Sequence, residues 1–273
     1  MNTHPEALIS DADGTLVDTV RLIRHGQYET ARRFLVQHGI PDEEVPDYES
    51  YNKILTNVVG GSAYDTLMRT TQAIYEHAPH HTEDMDFDEL HNMLNPVQDE
   101  LAPEYVKAYE GLSNFLHSLG RAGVSLAIFT SGTPHHIVRN FGIALPKLGM
   151  VDLYKDTTQD DKEKLSIFTE KFASYYQLPK FTVVTAEDTD KHKPDPASLL
   201  IAANRLGVDP SRAVVLGDHK VDMQAAQNAG VETRIGITHG FDDAATLRGS
   251  GATDIASNLD DVARHLETRG RVE

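Results

Sequence analysis

The sequence predicts an α/β protein, a doubly wound parallel-sheet core of the Rossmann kind with an all-helical cap domain inserted after its first strand. Three observations carry this. Short apolar runs ending in polar residues recur at 7–10, 124–130, 181–188, 213–218 and 231–238. Segments of helical length separate the later runs, which is the rhythm of βαβ units. From 17 to 105 no convincing strand interrupts the helical periodicity, so that stretch reads as an insertion. The expected division is 1–16 with 106–273 as the α/β core and 17–105 as the cap.

Taken in order, Ala7 to Ser10 is a buried strand that meets Asp11 and then a turn at Gly14. From Val20, apolar residues fall near helical spacing (Ile23, Ala31, Phe34, Leu35) until Gly39 stops the run. Helical segments follow at about 47–58, 62–77 and 86–101, joined by loops such as "HAPHHTED". "YVKAYEGLSNFLHSLGRAG" is a loop and a helix ending at Gly123, ahead of the strand 124–130. "PHHIVRNFG" is the next helix, with Pro134 suited to its first turn. "DKEKLSIFTEKFASYYQL" lengthens the chain before the next strand. It places Leu165, Phe168, Phe172 and Tyr175 on one apolar face, suited to core packing or to a dimer contact. After the strand at 181–188 come the helix "DPASLLIAANRLG", the strand "AVVLGD", the helix "VDMQAAQNAG" and the strand "VETRIGIT". "DIASNLDDVARHL" closes the core with a short extended piece and a helix.

Composition limits the function. The 273 residues include 42 acidic and 25 basic side chains, a formal charge of −17. A field of that sign disfavours nucleic acid and anionic membrane as partners. It admits a small anion only where the site supplies local positive charge. No apolar stretch approaches the roughly 20 residues of a membrane helix, and "MNTHPEALIS" lacks the basic and apolar regions of a signal peptide. A cytoplasmic location is expected. Cysteine is absent, which excludes disulfides, thiolate metal sites and thiol nucleophiles.

Ligands of doubly wound sheets bind beyond the carboxyl ends of the strands, and polar residues collect there. Asp11 and Asp13 follow the first strand; Thr130, Ser131 and Gly132 follow the second; Asp218 and Asp222 lie in "GDHKVD". Lys193, in "KHKPDP", precedes a helix. Two carboxylates one residue apart at the end of a buried strand are unfavourable unless a cation or a reaction uses them. Asp11 and Asp218 are candidate oxygen ligands for Mg²⁺, joined by the Asp13 backbone carbonyl. Asp222, four residues past Asp218, is expected on the same helical face as a direct or water-mediated ligand. The Thr130 hydroxyl with the Ser131 and Gly132 amides suits a phosphate, and Lys193 balances its charge.

These residues resemble the haloacid dehalogenase superfamily of phosphotransferases. The resemblance lies in "DADGTLVDT", the apolar run into Thr130, "KPDP" around Lys193 and "GDHKVD", and extends to "GATDIASNLDDV". The helical insertion is similar to that family's first cap class. "VVGGSAYDTL" resembles the cap specificity segment of relatives such as phosphoglycolate phosphatase, making Gly60, Gly61 and Ser62 substrate candidates. The resemblance implies that Asp11 attacks phosphorus and forms an aspartyl-phosphate. It implies that Asp13 protonates the leaving alkoxide and then deprotonates water. Thr130 and Lys193 would hold the phosphoryl group, and Asp218 with Asp222 the Mg²⁺. An aspartate at 13 favours phosphate esters over halides, whose departure needs no acid.

The expected activity is Mg²⁺-dependent hydrolysis of a small soluble phosphate monoester such as phosphoglycolate, a sugar phosphate or a nucleotide, by a monomer or homodimer. The alternatives are a phosphomutase resembling β-phosphoglucomutase and a phospho-accepting signalling module. The cap residues 17–105 show no clear basic cluster of the kind a bisphosphate-holding mutase requires, although Arg24, Lys53 and Arg69 are candidate substrate-selecting cations. His80, His81, His135, His136 and the "THG" at 238–240 read as loop or surface residues.

Overall fold

The computed structural model describes residues 5–58, 63–77 and 87–269. It divides into two compact units, one of residues 1–20 with 106–273 and one of residues 21–105.

The first unit is built on β1 (Ala7–Ser10), β4 (Ser125–Phe129), β5 (Phe181–Val184), β6 (Ala213–Gly217), β7 (Thr233–Ile237) and β8 (Asp254–Ala256). Their order in the sheet is β5-β4-β1-β6-β7-β8, with every pairing parallel. After β1 the chain builds outward through β4 and β5, then returns to build the other edge from β6. The strand order therefore reverses beside β1, and such a switch point opens a crevice at the strand carboxyl ends. Every residue of β1, β4 and β6 is buried, as expected where helices cover both faces of a parallel sheet.

Alternation along the strands divides their side chains between the two faces. Ala7, Ile9, Ala127, Phe129 and Val215 pack with Leu199, Ala202, Ala203 and Leu206 of α8 (Ala197–Leu206) and with Ala225 and Ala226 of α9 (Lys220–Asn228). Leu8, Leu126, Ile128, Val214 and Leu216 take the opposite face and are equally buried. Truncating one such leucine costs about 2–5 kcal/mol, so the platform under the strand ends is rigid. Other helices of this unit are α5 (Leu112–Ala122), α6 (Pro134–Ala144), α7 (Asp161–Tyr176), α10 (Ala244–Gly249) and α11 (Leu259–Arg269).

The added segment before β5 forms α7, whose Phe168, Phe172 and Tyr176 are buried. Phe172 stacks on Phe181 of β5 with ring centroids 4.4 Å apart. Tyr175, expected on the apolar face, is 37% exposed, and Tyr176 takes the inward position instead.

The second unit contains α2 (Tyr48–Val58), α3 (Ala63–His77), most of α1 (Val20–Gln37) and α4 (Phe87–Tyr105). Phe34, Leu35, Tyr51, Leu67, Ile74, Leu90 and Leu94 form its core. α4 runs through Pro96 and Pro103 to end four residues beyond the expected 101, because Val97 and Ala102 are buried and tertiary packing overrides the local preference.

The boundary also differs from the expected 16/17. β2 (Val17–Asp18) pairs antiparallel with β3 (Lys107–Ala108), which keeps residues 17–20 with the first unit. Two-residue strands carry no periodicity, so neither was visible as a pattern. No helix among the described residues is long and apolar enough to cross a membrane.

Candidate active site

Asp11 extends the β1–β6 ladder by one residue, its amide donating to Leu216 O at 2.9 Å. The chain then turns tightly, with the Gly14 amide donating to Val17 O at 2.8 Å. Gly14 has φ +82°, a left-handed conformation that side-chain-bearing residues rarely adopt, and a Cβ there would strike the Asp218 carboxylate. Glycine is required at 14 by conformation and by space together.

That close approach builds the site. Thr15 Oγ1 donates to Asp218 Oδ1 at 2.6 Å, and the Phe241 amide donates to Asp218 Oδ2 at 2.8 Å. Gly240 also lies against this carboxylate, again with no room for a Cβ. The loop carrying Gly240 and Phe241 is held by His239, which stacks on Tyr109 with centroids 3.5 Å apart. Its Nε2 lies 2.9 Å from Thr15 O; burial lowers the His239 pKa, and the neutral ring donates to that carbonyl. The "THG" stretch is a loop as expected, and it also closes one side of the acidic site.

Oxygens of Asp11, Asp218 and Asp222 lie within 4.8 Å of one another, and all three residues are buried. Lys193 Nζ stands between two of them, donating to Asp11 Oδ1 at 2.6 Å and Asp222 Oδ1 at 2.8 Å. It also sits 3.8 Å from the centre of the Phe129 ring, so its charge is held by two carboxylates and an aromatic face. Asp222 Oδ2 accepts from the His219 amide at 3.0 Å, so this carboxylate caps α9 as well as meeting Lys193. Asp218 is not on that helix: α9 begins at Lys220, and the turn out of β6 brings the two aspartates together in place of a shared helical face.

Burial pushes the Asp11 carboxyl up to about 7; Lys193 opposes that rise, while Asp222 and Asp13 add to it. Asp218 is raised well above the ordinary carboxylate range by burial and then by Asp11 and Asp222, despite its hydrogen bonds from Thr15 and Phe241. Burial works against the Lys193 ammonium, but Asp11 and Asp222 outweigh it and the pKa rises. Three close carboxylates against one ammonium leave an excess of buried negative charge. The donors are hard oxygens, so a divalent cation such as Mg²⁺ fits in charge and in ligand type.

The Asp13 carboxylate stands outside this cluster. Its Oδ1 accepts from Thr19 Oγ1 at 2.9 Å and from Asn140 Nδ2 at 2.8 Å. Burial raises its pKa, and those two hydrogen bonds moderate the rise.

Thr130 directly follows β4, its amide donating to Val184 O at 2.9 Å. Its Oγ1 accepts from the Gly132 amide at 2.9 Å. The Gly132 amide is thus engaged inside the turn instead of offered outward, and it directs the Thr130 O–H away from itself. Thr130, Ser131 and Lys193 line one pocket together with Thr185 and Ser198. His136 is used locally, accepting from the Thr133 amide at the start of α6. Gly60, Gly61, Ser62, His80 and His81 lie outside the described residues.

Thr15, Thr19, Asn140 and Phe241 were not identified from sequence. Thr15 and Thr19 sit inside "DADGTLVDT" and could have been suspected as hydroxyl donors to the neighbouring aspartates. Asn140 is 127 residues from Asp13 and carried no signal, and Phe241 contributes only a backbone amide.

Fold and site together define a doubly wound α/β protein with a cluster of buried carboxylates and one buried lysine at the sheet's switch point. The sequence model of the haloacid dehalogenase-like hydrolases matches residues 5–230, and the chain belongs to that family. It is 28% identical over 227 residues to the pyrophosphatase PpaX of Bacillus velezensis, covering 83% of this chain and 81% of that one. It is 26% identical over 250 residues to the phosphorylated carbohydrates phosphatase of Thermotoga maritima, covering 90% and 92%. The crystal structure of a hydrolase from Pseudomonas syringae superposes with a TM-score of 0.64 at 21% identity, covering 96% of this chain and 98% of that one.

Proposed function

We propose that this protein is a Mg²⁺-dependent phosphatase that hydrolyses a small phosphate monoester through a phosphorylated Asp11. The observation that carries the reading is Lys193 Nζ within 2.8 Å of both Asp11 and Asp222, in a cluster completed by Asp218. The names of the Bacillus velezensis and Thermotoga maritima relatives, both phosphate-releasing enzymes, support it.

The Asp11, Asp218 and Asp222 side chains, with the Asp13 backbone carbonyl, would hold Mg²⁺, which when bound supplies positive charge to the phosphoryl oxygens. A carboxylate oxygen of Asp11 attacks phosphorus as the ester P–O bond breaks. The electron pair of that bond leaves on the ester oxygen, which takes a proton from Asp13. The alcohol departs and the phosphoryl group stays on Asp11. Water then attacks phosphorus, yields a proton to Asp13 and breaks the Asp11–phosphorus bond, releasing phosphate and restoring both carboxyl groups. Lys193 and the Thr130 hydroxyl hold the phosphoryl oxygens throughout. Such a reaction depends mainly on placement and on charge stabilisation, for which a rigid sheet is suited. Ser131 is a further phosphate contact, while the Gly132 amide, engaged by Thr130 Oγ1, is not. The substrate is a small phosphorylated metabolite.

The test is phosphate release from a panel of phosphate esters, with Mg²⁺ or with EDTA, by the unaltered protein and by Asp11→Asn. Release that requires both Mg²⁺ and Asp11 is expected. Equal release by both proteins overturns the reading, and so does interconversion of two sugar phosphates without free phosphate.

A further inference from the structure

The two oxygens of the Asp13 carboxyl are not equivalent. Oδ1 accepts both hydrogen bonds, from Thr19 Oγ1 at 2.9 Å and Asn140 Nδ2 at 2.8 Å, and among the described residues none reaches Oδ2. A carboxyl whose one oxygen is occupied by two donors carries its proton on the other. Oδ2 is then the oxygen that exchanges the proton.

The Asn140 amide has two ends, only one of which can serve Asp13. Arg139 decides between them: its Nε donates to Asn140 Oδ1 at 3.0 Å, which turns the NH₂ toward Asp13. Arg139 is 1% exposed and Asn140 3%. A buried guanidinium is always a donor and never an acceptor, so a flipped amide would set donor against donor. Both residues lie on α6, whose first turn is fixed by Thr133 as N-cap and Pro134 at the first helical position. The order of control runs from a capped helix to Arg139, to Asn140, to the rotation of the Asp13 carboxyl.

Resting on the phosphatase reading above, we infer that Asn140, oriented by Arg139, is a positioning residue that aims Asp13 Oδ2 at the leaving ester oxygen. Its value depends on the leaving group. An alkoxide must be protonated as the P–O bond breaks, whereas p-nitrophenolate is stable as an anion and departs without that help. General acid catalysis contributes roughly 10²–10⁴-fold, and a misaimed acid forfeits a share of it only where the acid is needed.

The experiment compares kcat/KM, which reports the transfer to Asp11, for an alkyl phosphate and for p-nitrophenyl phosphate. Asn140→Ala is expected to lower the alkyl value by roughly 10–100-fold and the aryl value by less than about 3-fold. Asn140→Leu keeps about the size of the side chain and removes the donor without adding charge, and gives the same selective loss should the alanine variant fold poorly. A merely structural role for Asn140 lowers both substrates together and with them the affinity for inorganic phosphate; that result overturns the inference. So does a ratio unchanged in both Asn140 variants while the unaltered protein is active. Hydrolysis of neither ester by the unaltered protein overturns the phosphatase reading, and this inference with it.

Discussion

Lys193 Nζ lies 2.6 Å from Asp11 Oδ1 across 182 residues of sequence, with both side chains almost fully buried. The pair joins the segment before α8 to the end of the central strand. The same ammonium holds Asp222 at 2.8 Å, so one lysine neutralises parts of two carboxylates.

Lys193→Met keeps the length of the stem and removes the charge. Breaking a buried ion pair from one side costs about 3–5 kcal/mol, so a marked fall in thermal midpoint is expected in EDTA. Mg²⁺ should restore part of it, because the carboxylates left behind still attract a cation. Calorimetric melts with and without Mg²⁺ decide this; a midpoint equal to that of the unaltered protein contradicts the assigned pairing.

The metal-free protein should lose stability as pH rises from about 4 to 7. The Asp11 carboxyl goes from an ordinary 3.8 to about 7 on folding, so between those values the folded state binds more protons than the unfolded one. Stability from this source is fully present below the unfolded value and is lost as pH rises through the folded one. Asp11 alone contributes on the order of a few kcal/mol, and Asp218, also raised, adds to the same slope. Asp218→Asn should flatten the dependence. Denaturant melts in EDTA between pH 5 and 7 measure it, and parallel curves for the two proteins count against the buried-charge account.

Gly240→Ala tests the space around Asp218. Its backbone φ is not in the left-handed region, so an added Cβ acts by collision with the carboxylate and not by backbone strain. Metal affinity should fall by roughly 10–100-fold, as when a metal ligand loses its support. Gly249→Ala, where nothing lies within 4 Å of the added atom, is the control. Calorimetric titration with Mg²⁺ distinguishes them, and unchanged binding by Gly240→Ala contradicts the placement of Asp218 as a ligand.

In the helical unit, Tyr51 is fully buried and its hydroxyl has no partner among the described residues. Burial raises its pKa, which keeps the group neutral but does not satisfy it. Tyr51→Phe removes the unpaired oxygen and keeps the ring, so a gain of about 1–2 kcal/mol is expected. A loss of stability on chemical denaturation indicates instead that the hydroxyl is used.

The core strands were legible because each is an unbroken apolar run a few residues long ending at Asp11, Thr130 or Asp218, and burial on both faces leaves that mark. Local chemistry also announced the turn at Gly14 and the start of α6 at Pro134. β2, β3 and α10 were not legible, since two-residue strands and a six-residue helix are too short to show a period. The end of α4 was misplaced because Pro103, past the expected end, is tolerated beside the buried Ala102.

By itself the order of residues determined which chemical groups this protein brings to its strand ends: the aspartates, the hydroxyl of Thr130 and a lysine ahead of a helix. It did so because parallel strands deliver whatever follows them to one edge. Only the tertiary structure decided how those groups are held. Thr15 and Phe241 fix Asp218, the Gly132 amide fixes the Thr130 hydroxyl, and Arg139 with Asn140 orients Asp13. Those contacts come from segments distant in the chain or from backbone amides that every residue possesses, and neither leaves a trace in a local pattern.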